Sequence, residues 1–229
     1  NTRRVFAAGK NVIRNDGATL TIKNGTIERV GDVVGYAFNN AQGALNITGT
    51  TIKGGLYTSG TSLVATNANI SHFQSTRHAI YAYDCNVTLN GGTYHNDNSG
   101  NATIMAAGSS VVTIKDGTFS IKDGRQELSW TSCLIDTHNT ASITVEGGTF
   151  NGGFRVQSGT TMTIEGGSFN DCYGSSYNIY GTAVVKGGTF TDANAINFAK
   201  GNLAEGYVAS DNGNGTFTVL KGVAKIGDT

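Results

Sequence analysis

The densest group of side chains suited to chemistry lies between residues 120 and 139, in the stretch SIKDGRQELSWTSCLIDTHN. It holds the single tryptophan, Trp130, together with Arg125, Glu127, Asp136 and His138. A tryptophan beside polar residues can stack on a sugar ring. A carboxylate pair such as Asp136 with Glu127 could perform general acid–base hydrolysis of a glycoside. The alternative is a loop folded over the flank of the protein, with Trp130 covering apolar surface.

Two clusters of tyrosines are further candidates for a binding surface. The first, QSTRHAIYAYDC, contains Tyr81 and Tyr83, which alternate with apolar residues and would lie on the same side of a strand. The second, DCYGSSYNIY, contains Tyr173 and Tyr177. Each cluster either lines a ligand surface or covers the outside of the fold. We therefore take Trp130 and the tyrosines, with Asp136 and His138, as the candidate ligand-binding residues.

A repeat of eight residues must position these side chains. The best copy is ITVEGGTF, residues 143–150, and the chain contains seven others. The other copies are LTIKNGTI (20–27), LNITGTTI (45–52), TNANISHF (66–73), VTLNGGTY (87–94), VTIKDGTF (112–119), MTIEGGSF (162–169) and AVVKGGTF (183–190). The shortest step between copy ends, from 150 to 169, is 19, and the longest, from 119 to 150, is 31. A period in the low twenties is typical of a solenoid.

Within each copy the pattern is that of a strand. Apolar residues at the first and third places, with a polar residue between them, alternate as strand residues do. Gly-Gly then bends the chain, because glycine adopts backbone angles that other residues rarely do. The aliphatic third place, the Thr or Ser seventh place and the aromatic or Ile eighth place should each form a column as strands stack. The sequence therefore predicts a β-solenoid.

Composition excludes several classes of protein. The chain has 229 residues, with 16 basic and 16 acidic residues and a formal net charge of zero. Such a balance argues against disorder and against a nucleic-acid partner, because no basic patch is available to neutralise phosphates. Apolar runs are too short to insert in a membrane. The chain begins at Asn1 without methionine or signal peptide, and we expect a processed protein or a fragment.

The three cysteines give no disulfide or metal motif. Cys133 and Cys172 should occupy similar places two coils apart, roughly 9–10 Å from each other by strand spacing. That separation is too long for a disulfide. Cys85 should lie on a different part of the coil. Because the sequence has no CxxC and no histidine at ligand spacing, we expect three reduced thiols, no metal and no cofactor.

The V-T-I-x-G-G-T-F copies resemble the pectin-lyase-like right-handed parallel β-helix repeats of surface and secreted proteins of gut bacteria. The stretch AEGYVASDNGNGTFTV, residues 204–219, is similar to the segment that closes such arrays. The resemblance covers roughly residues 12–219 and implies an all-β right-handed parallel β-helix, or β-solenoid. The polygalacturonase-like hydrolases of this fold share paired aspartates and Gly-His-Gly, and the pectate-lyase-like enzymes share an acidic calcium cluster. Neither pattern occurs here.

The combined interpretation is one β-solenoid domain over residues 1–229, with about eight to ten coils whose length in amino acids ranges from 19 to 31. Residues 1–19 would form an N-terminal cap or first coil, 20–190 the repeat coils, and 191–229 a last coil and a hairpin-like cap. We expect a non-catalytic, extracellular or surface-displayed structural or adhesive module, whose partners are glycans or another surface protein. The alternative is a polysaccharide-degrading enzyme or a phage tailspike-like receptor-binding protein of the virion. Self-association would use the solenoid ends.

Overall fold

The structure is a computed structural model that describes residues 4–7, 11–31, 35–73, 77–97, 100–121, 133–170 and 177–222. These residues form an all-β protein with one short helix. The first eight strands are β1 (Arg4–Ala7), β2 (Ile13–Asn15), β3 (Thr19–Lys23), β4 (Thr26–Arg29), β5 (Phe38–Asn40), β6 (Ala44–Thr48), β7 (Thr51–Lys53) and β8 (Leu56–Ser59). The next eight are β9 (Ser62–His72), β10 (Ile80–Tyr83), β11 (Asn86–Asn96), β12 (Ile104–Ala107), β13 (Val111–Ile121), β14 (Ile135–Thr137), β15 (Ser142–Val145) and β16 (Thr149–Asn151). The remaining elements are β17 (Phe154–Val156), β18 (Thr161–Ile164), β19 (Ser168–Asn170), β20 (Asn178–Ile179), β21 (Thr182–Val185), β22 (Thr189–Phe190), α1 (Ala193–Gly201), β23 (Tyr207–Asp211) and β24 (Phe217–Lys221).

The strands form two long sheets in which neighbours up to β22 run parallel. The smaller sheet has the order β2-β5-β8-β10-β12-β14-β17-β20. The larger sheet contains one ladder from β3 through β6 to β21 and another from β1 through β4 to β22. The 11-residue strands β9, β11 and β13 belong to both ladders. The chain thus visits the two sheets in turn, an arrangement compatible with a parallel β-helix.

The predicted columns are confirmed by the strand registers. The third-place residues from Ile22 to Val185 pair from strand to strand. The seventh-place residues from Thr26 to Thr189 do the same, and all of them carry a hydroxyl group except Asn69, which lies between Thr51 and Thr93. The eighth-place column consists of Ile27, Ile52, Ile70, Tyr94, Phe119, Phe150, Phe169 and Phe190. All members of the eighth-place column are buried. The five aromatic rings stack face to face with centroids 4.7–4.9 Å apart.

One copy of the repeat was assigned wrongly. The sequence placed the third copy at residues 66–73 and ended it at Phe73, but the register pairs Ile70 with Ile52 and Tyr94. Phe73 is 45% exposed. The copy is therefore LVATNANI, and the steps on its two sides become 18 (from 52 to 70) and 24 (from 70 to 94) in place of the predicted 21 and 21. Asn67, with φ of 49°, occupies the bend that glycine forms in the other copies.

Polar residues are also buried where the smaller sheet turns towards the larger one. Asn15 Nδ2 donates to Asn40 Oδ1 at 2.8 Å, and Asn40 Nδ2 donates to Thr58 Oγ1 at 3.1 Å and to the Gly43 carbonyl at 2.7 Å. Asn40 and Thr58 are fully buried. These side chains form a ladder that joins three successive strands of the smaller sheet and satisfies polar groups which burial would otherwise leave unpaired.

The parallel stacking ends at β22. Helix α1 begins after Asp192, whose carboxylate accepts from the backbone N–H groups of Asn194 and Ala195, and it buries Phe198 against the core. Strands β23 and β24 then form an antiparallel hairpin, and β24 pairs antiparallel with β22. The sequence predicted a hairpin around residues 211–215 and did not predict the helix.

Candidate functional site

The outer face of the smaller sheet carries a group of tyrosines. In β10, Ile80 and Ala82 are buried, while Tyr81 is partly exposed and Tyr83 is 41% exposed. Tyr57 lies opposite Tyr81 on the neighbouring strand β8. The rings of Tyr57 and Tyr81 meet edge to face at 5.4 Å, and those of Tyr81 and Tyr83 at 6.5 Å. These contacts hold three rings in fixed orientations at a solvent-facing surface.

A buried histidine supports the tyrosines from one side. His78 lies 5.6 Å from Tyr81 between ring centroids, edge to face. Burial lowers the pKa of His78 to about 3, so the imidazole is neutral at physiological pH. Its Nδ1 accepts a hydrogen bond from the Ala102 backbone N–H at 3.0 Å. The pKa of Tyr81 is raised by burial and by the neighbouring Tyr57 and Tyr83, which keeps its hydroxyl protonated.

An ion pair lies further along the same face. Asp136 is fully buried, and Arg155 Nε donates to its Oδ1 at 2.8 Å while Nη2 donates to its Oδ2. Burial alone would lower the pKa of Arg155, but the hydrogen bond and charge of Asp136 outweigh burial and raise it. His138 Nε2 lies 3.2 Å from Asp136 Oδ2, and the His138 side chain is 39% exposed. The cluster thus presents one imidazole to solvent above a buried charged pair.

Strand registers connect the tyrosines to this cluster. One outward column runs from Tyr57 through Tyr81 and Met105 to Asp136 and Arg155. A second column, two residues further along each strand, contains Tyr83 and Ala107. His138 continues the second column, because its backbone N–H donates to the Ala106 carbonyl at 2.8 Å as the parallel ladder requires.

The small side chain of Ala107 therefore lies between Tyr83 and His138. By strand spacing, these two residues are two strands, or about 10 Å, apart. The second column continues to Tyr180, which is 56% exposed and whose N–H donates to the Val156 carbonyl. Exposed tyrosines thus lie on both sides of His138 in this column, with Ala107 between Tyr83 and His138.

The structure brings four of the predicted site residues together on this face, namely Tyr81, Tyr83, Asp136 and His138. Tyr177 is placed elsewhere: its ring stacks on Phe198 at 4.6 Å and packs against the core. The predicted residues Trp130 and Tyr173, together with Arg125, Glu127 and Cys172, lie outside the described residues. Cys85 and Cys133 are both buried.

Sequence reasoning missed Tyr57 and Arg155. The signal for Arg155 was present, because Asp136 and Arg155 each lie fourteen residues before the aromatic residue that ends their copies, Phe150 and Phe169. Equal distances from the repeat end place two residues in the same column. The opposite charges of these two residues then predict a contact between adjacent strands.

The described part of the chain contains neither a metal-binding cluster nor a membrane-spanning helix. It contains no group of three or more His, Cys, Asp or Glu side chains that could hold a metal ion. No helix in the described ranges is long and apolar enough to cross a membrane.

Comparison with known proteins gave no relative for this chain. It matches no protein-family model, and no match was found among curated proteins or solved structures.

Proposed function

We propose that this chain is a right-handed parallel β-helix of about eight to ten coils that acts as a surface-displayed or secreted adhesive module and binds glycans. Support for the β-helix comes from the regular alternation between two parallel sheets and from the continuous columns of buried residues. The right hand follows from the strong preference for right-handed connections between parallel strands. The extracellular location follows from the resemblance of the repeats to those of bacterial surface proteins.

The observation that carries glycan binding is the arrangement of Tyr57, Tyr81 and Tyr83 on the outer face of the smaller sheet. The aromatic rings of the larger sheet's eighth-place column are buried and serve the core. The three tyrosines instead keep partial exposure while their rings are fixed by contact with each other. A rigid aromatic surface with hydroxyl groups at its rim suits the alternating apolar and polar faces of sugar rings.

The same face argues for binding without catalysis. Asp136 is the acidic side chain nearest the tyrosines in their column, and both its oxygens accept hydrogen bonds from Arg155. Because the arginine holds both oxygens, this carboxylate is not positioned to contact the glycosidic oxygen of a bound sugar. Its burial also separates it from solvent.

The test is a screen of the intact chain against immobilised glycans, followed by titration of the glycans that bind. We expect Tyr83→Ala and Tyr81→Ala to weaken binding about tenfold each or more, because an aromatic contact contributes on the order of 1–2 kcal/mol. Leu220→Ala is the matched control, since Leu220 is 43% exposed on the terminal hairpin, away from this face. Catalysis is tested in the same samples by looking for released oligosaccharides.

Three results would overturn the proposal. The first is a wild-type chain that binds no glycan. The second is equal loss of binding in the tyrosine and Leu220 variants. The third is release of oligosaccharides from a bound polysaccharide, which would make the protein an enzyme.

A further inference from the structure

We propose that His138 is the polar contact of this glycan site and that the buried Asp136–Arg155 pair positions it. This inference rests on the proposed function. The tyrosines supply stacking surfaces but only one kind of hydrogen-bonding group. A glycan also needs directional hydrogen bonds for its hydroxyl groups, and His138 is the imidazole that this face presents to solvent beside the tyrosine columns.

The hydrogen bonds of the cluster determine what His138 can do. Arg155 donates to both oxygens of Asp136, so the carboxylate remains an acceptor. Arg155 Nη2 also lies 3.4 Å from His138 Nε2, but an arginine cannot accept a hydrogen bond. A proton on Nε2 therefore gives His138 a favourable bond to Asp136. Nδ1 of the neutral ring is then left as an acceptor for a sugar hydroxyl.

Burial explains why the pair is suited to positioning. Arg155 and Asp136 side chains are only 9% and 1% exposed, and they face each other on adjacent strands β17 and β14. Burying two charges is costly unless they bond well, and a bidentate arginine–carboxylate contact fixes both in one orientation. The carboxylate thus offers His138 a fixed acceptor, as carboxylates do for histidines in many binding sites.

Ala107 completes the site. It lies in the second column between Tyr83 and His138 and is 4% exposed, so a larger side chain at this position would have to project towards its two neighbours. A sugar ring seated over Ala107 would contact the Tyr83 ring on one side and His138 on the other. The ligand class that fits is an oligosaccharide of several neutral sugars. From Tyr83 to Tyr180 the row spans four strand spacings, about 19 Å.

The experiment is calorimetric titration of the intact protein with four neutral hexasaccharides: cellohexaose, mannohexaose, xylohexaose and laminarihexaose. For the hexasaccharide that binds, we expect His138→Leu and Ala107→Leu each to weaken binding about tenfold or more. His138→Asn keeps an acceptor oxygen at the position of Nδ1 but loses the bond from Nε2 to Asp136, so its affinity should lie between those of wild type and His138→Leu. A disaccharide of the same sugar should bind more weakly than the hexasaccharide, because it cannot span the row.

The positioning role is tested by Arg155→Lys, which keeps the charge and loses the two-pronged contact. We expect weaker binding with the melting temperature nearly unchanged. If that variant unfolds, the two His138 variants decide the matter, because this side chain is partly exposed and its replacement leaves the core intact.

The outcomes separate this inference from the proposed function. If Tyr83→Ala abolishes binding while His138→Leu and Ala107→Leu bind like wild type, the inference is wrong and the glycan site stands on the tyrosines alone. If His138→Asn binds as weakly as His138→Leu, the proposal that a sugar hydroxyl donates to an acceptor at the position of Nδ1 is wrong. If wild-type protein binds neither the hexasaccharides nor any immobilised glycan, both proposals are overturned.

Discussion

Replacing one ring of the buried aromatic column should destabilise the protein far more than replacing an exposed ring of the same type. Phe150 is fully buried and stacks on Phe119 at 4.7 Å and on Phe169 at 4.9 Å. Phe→Ala in a core costs about 3–5 kcal/mol. Two stacked pairs contribute roughly 0.5–1.5 kcal/mol each beyond the buried area, which places Phe150→Ala near the upper end of that range.

The matched control is Phe73→Ala. The repeat as read from the sequence ends one copy at Phe73, and that assignment would give Phe73 the same role as Phe150. In the structure Phe73 is 45% exposed and its ring stacks on His72, at 6.0 Å. A substitution at such a surface position usually changes stability by about 0.5 kcal/mol or less. The two variants therefore test the corrected register directly.

The measurement is urea unfolding followed by circular dichroism, with both variants compared with wild type. Since domains are stable by about 5–15 kcal/mol, Phe150→Ala should shift the midpoint strongly while Phe73→Ala barely moves it. A reduced slope of the free energy of unfolding against urea for Phe150→Ala would mean that neighbouring repeats unfold separately, as expected when each repeat contacts only the next. Equal losses in the two variants, or a loss below about 1 kcal/mol for Phe150→Ala, would refute the register.

Three further predictions concern the core and its bends. Asn40→Ala should lower the free energy of unfolding by about 1–3 kcal/mol in urea unfolding, because it leaves the buried partners of its amide unpaired; wild-type stability in this variant would contradict the ladder. Gly92→Ala should lower the melting temperature much more than Gly213→Ala. Both glycines have positive φ, but a Cβ on Gly92 would lie 2.1 Å from the Ala68 carbonyl oxygen, while one on Gly213 would meet nothing within 4 Å. Similar shifts in melting temperature would mean that backbone strain alone sets the loss of stability and that the close contact at Gly92 has no effect. Stability should fall as pH falls from about 6.5 towards 3, because the unfolded chain protonates His78 while burial lowers its pKa in the folded state. Urea unfolding should show that the free energy of unfolding falls less between pH 7 and pH 4 in His78→Asn than in wild type. An identical fall in both proteins would contradict this role of His78.

The columns could be predicted from the sequence because each repeat contains residues that mark its bend and its end. A pair that contains glycine (Gly-Gly, Asp-Gly, Asn-Gly or Gly-Thr) marks the bend in the other seven copies, and an aromatic or Ile residue follows two positions after the pair. The end of the third copy was predicted wrongly because Asn67-Ala68 stands where the other copies have a pair that contains glycine. Asn67 accepts a positive φ without glycine, so the bend is preserved while its signal is lost. Phe73 lies three positions after Ile70, and this aromatic residue was therefore taken as the end of the copy.

The candidate site was harder to predict from the sequence, because its residues come from separate repeats. Asp136 and His138 share one strand end and were recognised together. Arg155 belongs to the next repeat, in the short segment FRV, where nothing local distinguishes a surface arginine from one that bonds a carboxylate. The register between β14 and β17 brings Arg155 to Asp136, and the only trace of it in the sequence is their equal distance from the ends of their repeats. The sequence around Tyr177 likewise does not reveal that its ring packs on Phe198, because that contact joins two separate elements.

The uneven spacing of the repeats has a consequence for how such a protein can diversify. The step between successive members of the eighth-place column ranges from 18 (Ile52 to Ile70) to 31 (Phe119 to Phe150), yet every member stays in register with its neighbours. The additional residues of the longer repeats therefore lie between the paired strands, and the stacked residues keep their register. Insertions and deletions at those points should disturb the stacked columns little, so the proposed binding surface could be changed one repeat at a time.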